Sequence, residues 1–456
     1  CTGDSKRYQG EALMYRLGWF LGNGFGIQAW NPAVDGPWTG CNESEWMKAG
    51  LYVDLTNALE RACFDYLLIE DTTQLDDGFR GSAETTLRLG LWAPKSDPLP
   101  LVPLLTQQTR HIGIVPTLSS TFYPPYLAAR LLTTLDHLTD GRVGFNLVTS
   151  GADLSAQNYG MDALPPKELR YKRATEWVEI VKGLQESWEP DAVVADVDGG
   201  RYADYRKVHR LDYKGEYFKS RGPLNTIPGP QRAIPMVEAG NSPDGRNLSA
   251  RFADSMIASV NDIGAMKAFR ADMHRRLASY GRRPDDLKVM YLVSPVIAAT
   301  DEEAHRQVEA AKAARWTDAG IEYMLWYVEH ITGVDLSVLD LNTPVPQVMA
   351  ELERSGRIQT AINNIFGGQD DKTLREVLAT RSYSRNLGLI GSPSTVAAKM
   401  DELMQEVGGD GFLIHLPTTR LAIAQMCDGV APILRRRGSI RSGFAGRTFR
   451  ENLRSF

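Results

Sequence analysis

The chain has 456 residues, 43 % of them hydrophobic, and a formal net charge of −5. That length and apolar content suffice for a large buried core, either as two domains or as one decorated barrel. The mild acidic balance and the lack of a basic block argue against a nucleic acid or an anionic membrane surface as partner, and no apolar run reaches the roughly 18 residues of a membrane-spanning helix.

The first apolar run, MYRLGWFL at 14–21, reads as a strand and leads into Gly22-x-Gly24-x-Gly26. This triplet lacks the GxGxxG spacing and the following helix of a dinucleotide fingerprint, so it reads as a rim loop. The helical pattern VDLTNALERACF precedes a second strand, FDYLLIE at 64–70, which ends in Glu70-Asp71. The third strand, HIGIVPT at 111–117, runs into Ser119-Ser120-Thr121 ahead of the helix YLAARLLTTLDHL. After a turn at Gly141 comes RVGFNLV at 142–148, apolar at Val143, Phe145, Leu147 and Val148 but interrupted by Asn146. A buried amide needs partners, and a ligand in a barrel mouth would supply them.

The helix RYKRATEWVEIVKGLQESW follows, then a turn-rich insertion at about 189–232. The fifth strand, AIPMVEA at 233–239, ends in Gly240-Asn241-Ser242, with Pro243 opening a helix. A hydroxyl and several unpaired backbone N–H groups at a helix N-terminus favour a phosphate dianion, although Ser-Pro is equally a common helix start. DSMIASV at 254–260 and KVMYLVSPVI at 288–297 are the sixth and seventh strands, and a second insertion spans about 317–390. The helix STVAAKMDELMQEV and the eighth strand, GFLIHL at 411–416 with His415, complete the series. An arginine-rich extension at about 435–456 reads as a tail that packs on a neighbouring subunit or folds over the barrel, its arginines mostly solvated.

Eight apolar strands alternating with helices predict an α/β fold, a (β/α)8 TIM barrel spanning 1–456 as one domain, with insertions after the fourth helix and the seventh strand. An open doubly wound sheet is the alternative. In a barrel, the polar residues at strand ends would share one rim, the side where barrels carry their chemistry. Any single Ser or Thr among them also serves as an ordinary helix cap. Trp19, Phe20, Phe25, Trp30, Phe79 and Trp92 fall on or near that rim as candidate walls for an aromatic or halogenated substrate.

Cys1, Cys41, Cys63 and Cys427 form no CxxC pair, which fits a reducing, cytoplasmic setting. The opening CTGDSKRYQG lacks the apolar stretch of a signal peptide. The histidines show neither HxH nor HExxH spacing, so no metal site is expected.

Several stretches resemble the bacterial-luciferase-like FMN-dependent monooxygenases, in the branch that holds the nitrilotriacetate, dibenzothiophene sulfone and alkane monooxygenases. They are ALERACFDYLLIED, STFYPPYLAARLLTTLDHLTDGRVGFNLVTS, NYG at 158–160, LRYKRATEWVE and EAGNSPDGR, with weaker likeness at HITGVDL and GDGFLI. The resemblance implies a two-component enzyme that uses FMNH2 and O2 on a small organic substrate. A separate NAD(P)H:flavin reductase would supply the reduced flavin, and the assembly would be a homodimer or homotetramer. It places Asp71, Thr121, Tyr171 and Ser242 at the FMN, Ser242 on the phosphate, Asn146 near the isoalloxazine and His330 near the reacting edge. Lys167 stands where relatives often carry a histidine, four residues before Tyr171. It would pair with the phosphate as a point charge or point to solvent. The loop GNGFGIQAWN lacks histidines found in some relatives, so their substrate contacts do not transfer. Three other readings remain open: an F420-dependent oxidoreductase of the same fold, a non-catalytic flavoprotein, and a glycoside hydrolase using Glu70, Asp71 or Glu238.

Overall fold

The computed structural model describes residues 13–22, 24–27, 47–260, 262–354, 365–380 and 386–456. Eight parallel strands close a barrel in chain order. They are β1 (Arg16–Leu21), β2 (Tyr66–Ile69), β3 (Gly113–Ser119), β4 (Phe145–Val148), β5 (Met236–Glu238), β6 (Ser255–Ala258), β7 (Lys288–Val293) and β8 (Gly411–Ile414). The ring closes where Gly411 of β8 lies in register with both Arg16 of β1 and Met290 of β7. Each strand falls within or overlaps an apolar run expected from the sequence. Two ends differ: His415 lies just past β8 and is exposed, and Val296–Ile297 leaves the barrel to pair with Ile390–Gly391.

The period of two along each strand divides the core into layers. Outward residues such as Phe145, Leu147, Tyr291 and Phe412 join the helices in the larger core, and Phe145 sits 6.2 Å from Trp177 of the helix Lys167–Gln185. Inward residues, among them Tyr66, Leu68, Val115, Val237, Ile257, Met290 and Leu413, fill the barrel itself. Asn146 alternates with Phe145 and Leu147, so it belongs to the inner layer. The amide in an apolar run is the expected outcome of one strand with two different faces.

The carboxyl-terminal extension closes the amino-terminal end of the barrel. Its helix Phe449–Arg454 carries Phe449 and Leu453 into the inner core. A Cβ at Gly113 or Gly144 would lie 2.4 or 2.8 Å from the Phe449 ring, so these two glycines make its space. Arg441 is buried and forms a 2.6 Å ion pair with buried Asp65. The expectation of solvated arginines therefore fails at Arg441. Phe449→Ala is expected to cost about 3–5 kcal/mol of stability, as for other buried aromatic truncations, measurable by urea unfolding.

At the opposite end, the segment between β7 and the helix Pro393–Val407 forms helices Asp301–Ala314, Asp318–Thr332, Val345–Arg354 and Leu374–Thr380. They do not extend the barrel core. Ile321, Met324, Leu325, Trp326 and Phe366 instead share a second core with Phe79, Leu89 and Leu91 from the loop after β2. Trp326 Nε1 donates to Thr86 Oγ1 at 2.9 Å, and Arg88 pairs with Glu322 at 2.6 Å. Two excursions that leave the carboxyl ends of β2 and β7 thus build one roof. No helix among the described residues is long and apolar enough to cross a membrane.

Candidate functional site

Asn146 is 4 % exposed and lies opposite Thr117 of β3 and Val237 of β5. The Thr117 hydroxyl donates to the Ile69 carbonyl at 2.8 Å, so its oxygen accepts from Asn146 Nδ2 at 3.0 Å. That chain fixes which way the amide faces. Asn146 Oδ1 is left buried with no hydrogen-bond partner among the described residues. A buried acceptor without a donor costs about 1–3 kcal/mol, which a ligand N–H or a water would remove.

Beyond Asn146, the end of β4 gathers hydroxyls from four elements. Thr121 Oγ1 donates to the Thr149 carbonyl at 2.9 Å, and Ser119 Oγ lies 2.7 Å from Ser150 Oγ. Ser150 adopts a left-handed backbone with φ of 60°, a conformation that costs a non-glycine residue about 1 kcal/mol and often marks a functional turn. Arg170 grips the Ser150 carbonyl from the first turn of the helix Lys167–Gln185. One residue on, the Tyr171 hydroxyl lies close to the side chains of Thr149 and Ser242. Burial, with Glu238 nearby, raises the Tyr171 phenol above its ordinary value, while those two hydroxyls pull the other way.

Ser242 is the N-cap of the helix Pro243–Phe252, its Oγ accepting from Gly245 N–H at 3.3 Å. The turn before it is tight. A Cβ at Gly240 would lie 2.3 Å from Glu238 Oε1 and 2.8 Å from both Gly245 Cα and the Tyr171 hydroxyl. Only glycine lets the backbone pass there, and the result is a positive helix end facing the Tyr171–Thr149 hydroxyls.

Glu238 closes this cluster from below. Burial pushes its carboxyl up to about 7, against donation from Ser249 Oγ at 2.5 Å and Gly240 N–H at 2.8 Å. The unfolded chain loses this proton near pH 4.5 and the folded chain near pH 7, so stability is full at low pH and falls as pH rises between them. Glu238→Gln keeps one oxygen for both donors and removes the charge. At pH 8 it is expected to be more stable than the parent by up to about 3 kcal/mol, with little difference at pH 4, in urea unfolding across that range.

Asp71 continues from β2. Burial pushes it up to about 7, opposed by Lys95 and reinforced by Glu70 and Asp97. Lys95 is itself nearly buried and pairs with Glu70 at 3.0 Å.

His330 lies on the roof helix Asp318–Thr332, its Nδ1 2.5 Å from Asp76 Oδ2 in the loop after β2. Its ring meets Trp92 edge-on at 4.4 Å and stacks on Trp326 at 5.1 Å.

Of the expected residues, Thr121 bonds to Thr149, Tyr171 lies between Thr149 and Ser242, and Asn146 stands on the strand that ends just before Thr149. Lys167 is exposed on the first turn of its helix and joins none of these bonds. Among the candidate aromatics, Trp19 and Phe79 are core residues, and Phe25 packs on Tyr52. Phe20 lies beside His415 at 5.3 Å, and Trp30 lies outside the described residues, as do Cys1 and Cys41. Sequence reasoning gave no role to Thr117, Arg170 or Asp76, and offered Glu238 only as a hydrolase carboxylate. Arg170 did carry a signal, since it directly precedes Tyr171 in LRYKRATEWVE.

The family model described as luciferase-like monooxygenase matches residues 32–411. N-acetyl-S-(2-succino)cysteine monooxygenase of Bacillus subtilis (strain 168) is 32 % identical, covering 96 % of each chain. Nitrilotriacetate monooxygenase component A of Aminobacter aminovorans is 32 % identical over 88 % of this chain and 89 % of its own. A crystal structure of riboflavin lyase with modified FMN and riboflavin superposes with a TM-score of 0.83 at 29 % identity, covering 97 % of this chain and 96 % of the other. A closed barrel with its polar side chains collected at the β3–β5 rim, matched along most of its length by these proteins, makes this chain a member of the luciferase-like monooxygenase family.

Proposed function

We propose that the chain oxygenates a small organic substrate with O2 and reduced FMN, delivered by a separate NAD(P)H:flavin reductase. The observation that carries this reading is the β4 rim. It offers Asn146 Oδ1, a buried acceptor lacking a donor, and the Ser242 helix N-terminus with its cluster of hydroxyls. The residues fit FMN: a flavin ring carries N–H groups for the first, and its phosphate dianion suits the second. The riboflavin lyase, whose structure contains modified FMN, supports the same choice of cofactor.

In this reading Ser242, Tyr171 and Thr121 hold the phosphate and its chain, with Lys167 a candidate point charge on the same helix as Tyr171. Asn146 orients the ring, and Asp71 bounds it from the end of β2. Bound reduced FMN supplies the electrons that activate O2. The protein binds, orients and excludes water, the last through the roof shared by the 79–92 loop and the 318–380 helices. His330 holds or moves a proton beneath that roof. The name component A of the nitrilotriacetate enzyme supports a reductase partner. The name of the N-acetyl-S-(2-succino)cysteine enzyme is the reason organosulfur compounds are the first candidates to test. The proposed setting is the cytoplasm, and the proposed assembly a homodimer or homotetramer.

The test is oxygen uptake with FMN, NADH and a generic flavin reductase across sulfur, nitrogen and halogenated aromatic compounds. Substrate-dependent product that requires both the reductase and O2 supports the reading. Turnover without O2, or glycoside cleavage without reductant, overturns it.

A further inference from the structure

We infer that Asp76 is a positioning residue that fixes the tautomer of His330, so that His330 Nε2 is the atom that exchanges a proton beneath the roof. The use of that proton rests on the proposed function; the positioning does not. Asp76 Oδ2 lies 2.5 Å from His330 Nδ1, and Asp76 Oδ1 accepts the Gly78 N–H at 3.0 Å. The two side chains are only 6 % and 11 % exposed.

A carboxylate only accepts, so Nδ1 carries the proton, and in the neutral ring the lone pair sits on Nε2. Nε2 has no partner among the described residues and is not among the atoms sealed from solvent. Trp92 and Trp326 wall the ring with apolar surface, and Trp326 is held in turn by Thr86. The imidazole is thus clamped on one nitrogen and open on the other.

A buried carboxylate beside a neutral ring lacks a counter-charge, and its desolvation is then uncompensated. When Nε2 takes a proton from a donor that reaches it, the imidazolium supplies that charge at contact distance. When Nε2 returns the proton, the neutral pair is restored and no electrons move. A helix-end histidine that only needed a hydrogen bond would be served by a neutral amide. The pairing also ties both excursions together, since Asp76 follows β2 and His330 follows β7.

The first arm of the test uses the flavin-free protein. Nitrogen-15 spectra of the histidine rings, with the His330 signal assigned through His330→Gln, are expected to place neutral His330 in the Nδ1–H form. Asp76→Ala is expected to shift it toward the Nε2–H form, and Asp76→Glu to restore it. In the second arm, Asp76→Ala and Asp76→Asn are expected to lower kcat for FMNH2-dependent oxygenation about 10- to 100-fold with FMN affinity unchanged, the size typical of a partner that orients a functional histidine.

An Nε2–H form in the parent, or a tautomer indifferent to Asp76, overturns the inference. So does a tautomer that shifts while kcat stays at the parental value. If Asp76→Ala does not fold, Asp76→Leu, which likewise offers Nδ1–H no acceptor, takes its place in the first arm, and Asp76→Asn carries the second. If the parent oxygenates nothing, the functional reading fails and the spectra alone still decide the positioning.

Discussion

Replacing Ser242 with aspartate is expected to leave the barrel folded and to weaken FMN binding at least about 100-fold. Aspartate caps helices as well as serine does, so the bond from Gly245 N–H keeps an acceptor and stability changes by no more than about 0.5 kcal/mol. The new carboxylate would stand where the phosphate dianion is proposed to sit. Two like charges about 4 Å apart at an effective dielectric of about 20 repel by about 4 kcal/mol, and solvent at the rim lessens this without removing it. Ser242→Ala is the control. It loses the cap, at about 1 kcal/mol, but adds no charge, so flavin binding should fall only about tenfold. Thermal unfolding of the flavin-free protein and a fluorescence titration with FMN separate the two effects. Retention of FMN by Ser242→Asp would mean that Ser242 is a helix cap and nothing more.

Asn146→Leu is expected to separate stability from binding with opposite signs. The amide Nδ2 donates to Thr117, whose own proton goes to the Ile69 carbonyl, so leucine strands no buried donor. It also removes Oδ1, the acceptor with no partner. The flavin-free barrel should therefore keep its stability or gain up to about 1–3 kcal/mol in urea unfolding. FMN affinity should fall about 10- to 100-fold, because an N–H of the flavin ring would then be buried against a methyl group. A wholly structural Asn146 gives the reverse pattern, with lost stability and unchanged flavin affinity in the surviving fold.

The two ends of the proposed flavin site were not equally legible. The Ser242 end is local: strand, glycine turn, serine, proline and helix occur in one run, and each step follows from backbone chemistry. Asn146 was legible as an anomaly, since an amide inside an apolar run is costly without partners. Its orphaned oxygen was not legible, because that depends on where Thr117 sends its proton, and Thr117 lies on a different strand. Glu238 ends an ordinary strand in the sequence. What raises its carboxyl toward neutrality is burial beneath the Gly240 turn, a tertiary circumstance.

The roof marks the limit more sharply. Residues 317–390 read as an insertion, but nothing local ties Trp326 to Thr86 or His330 to Asp76, which are 240 and 254 residues apart. The same holds for Arg441, read as solvated, whose partner Asp65 lies 376 residues away. By itself the sequence determined the eight strands, their order and the polar rim. Strands buried on both faces must be apolar throughout, and any exception to that pattern is costly enough to stand out. The tertiary structure alone decided which charges are paired, which amide lacks a donor and which two excursions share a core. Those outcomes depend on contacts between segments whose separate patterns carry no record of each other.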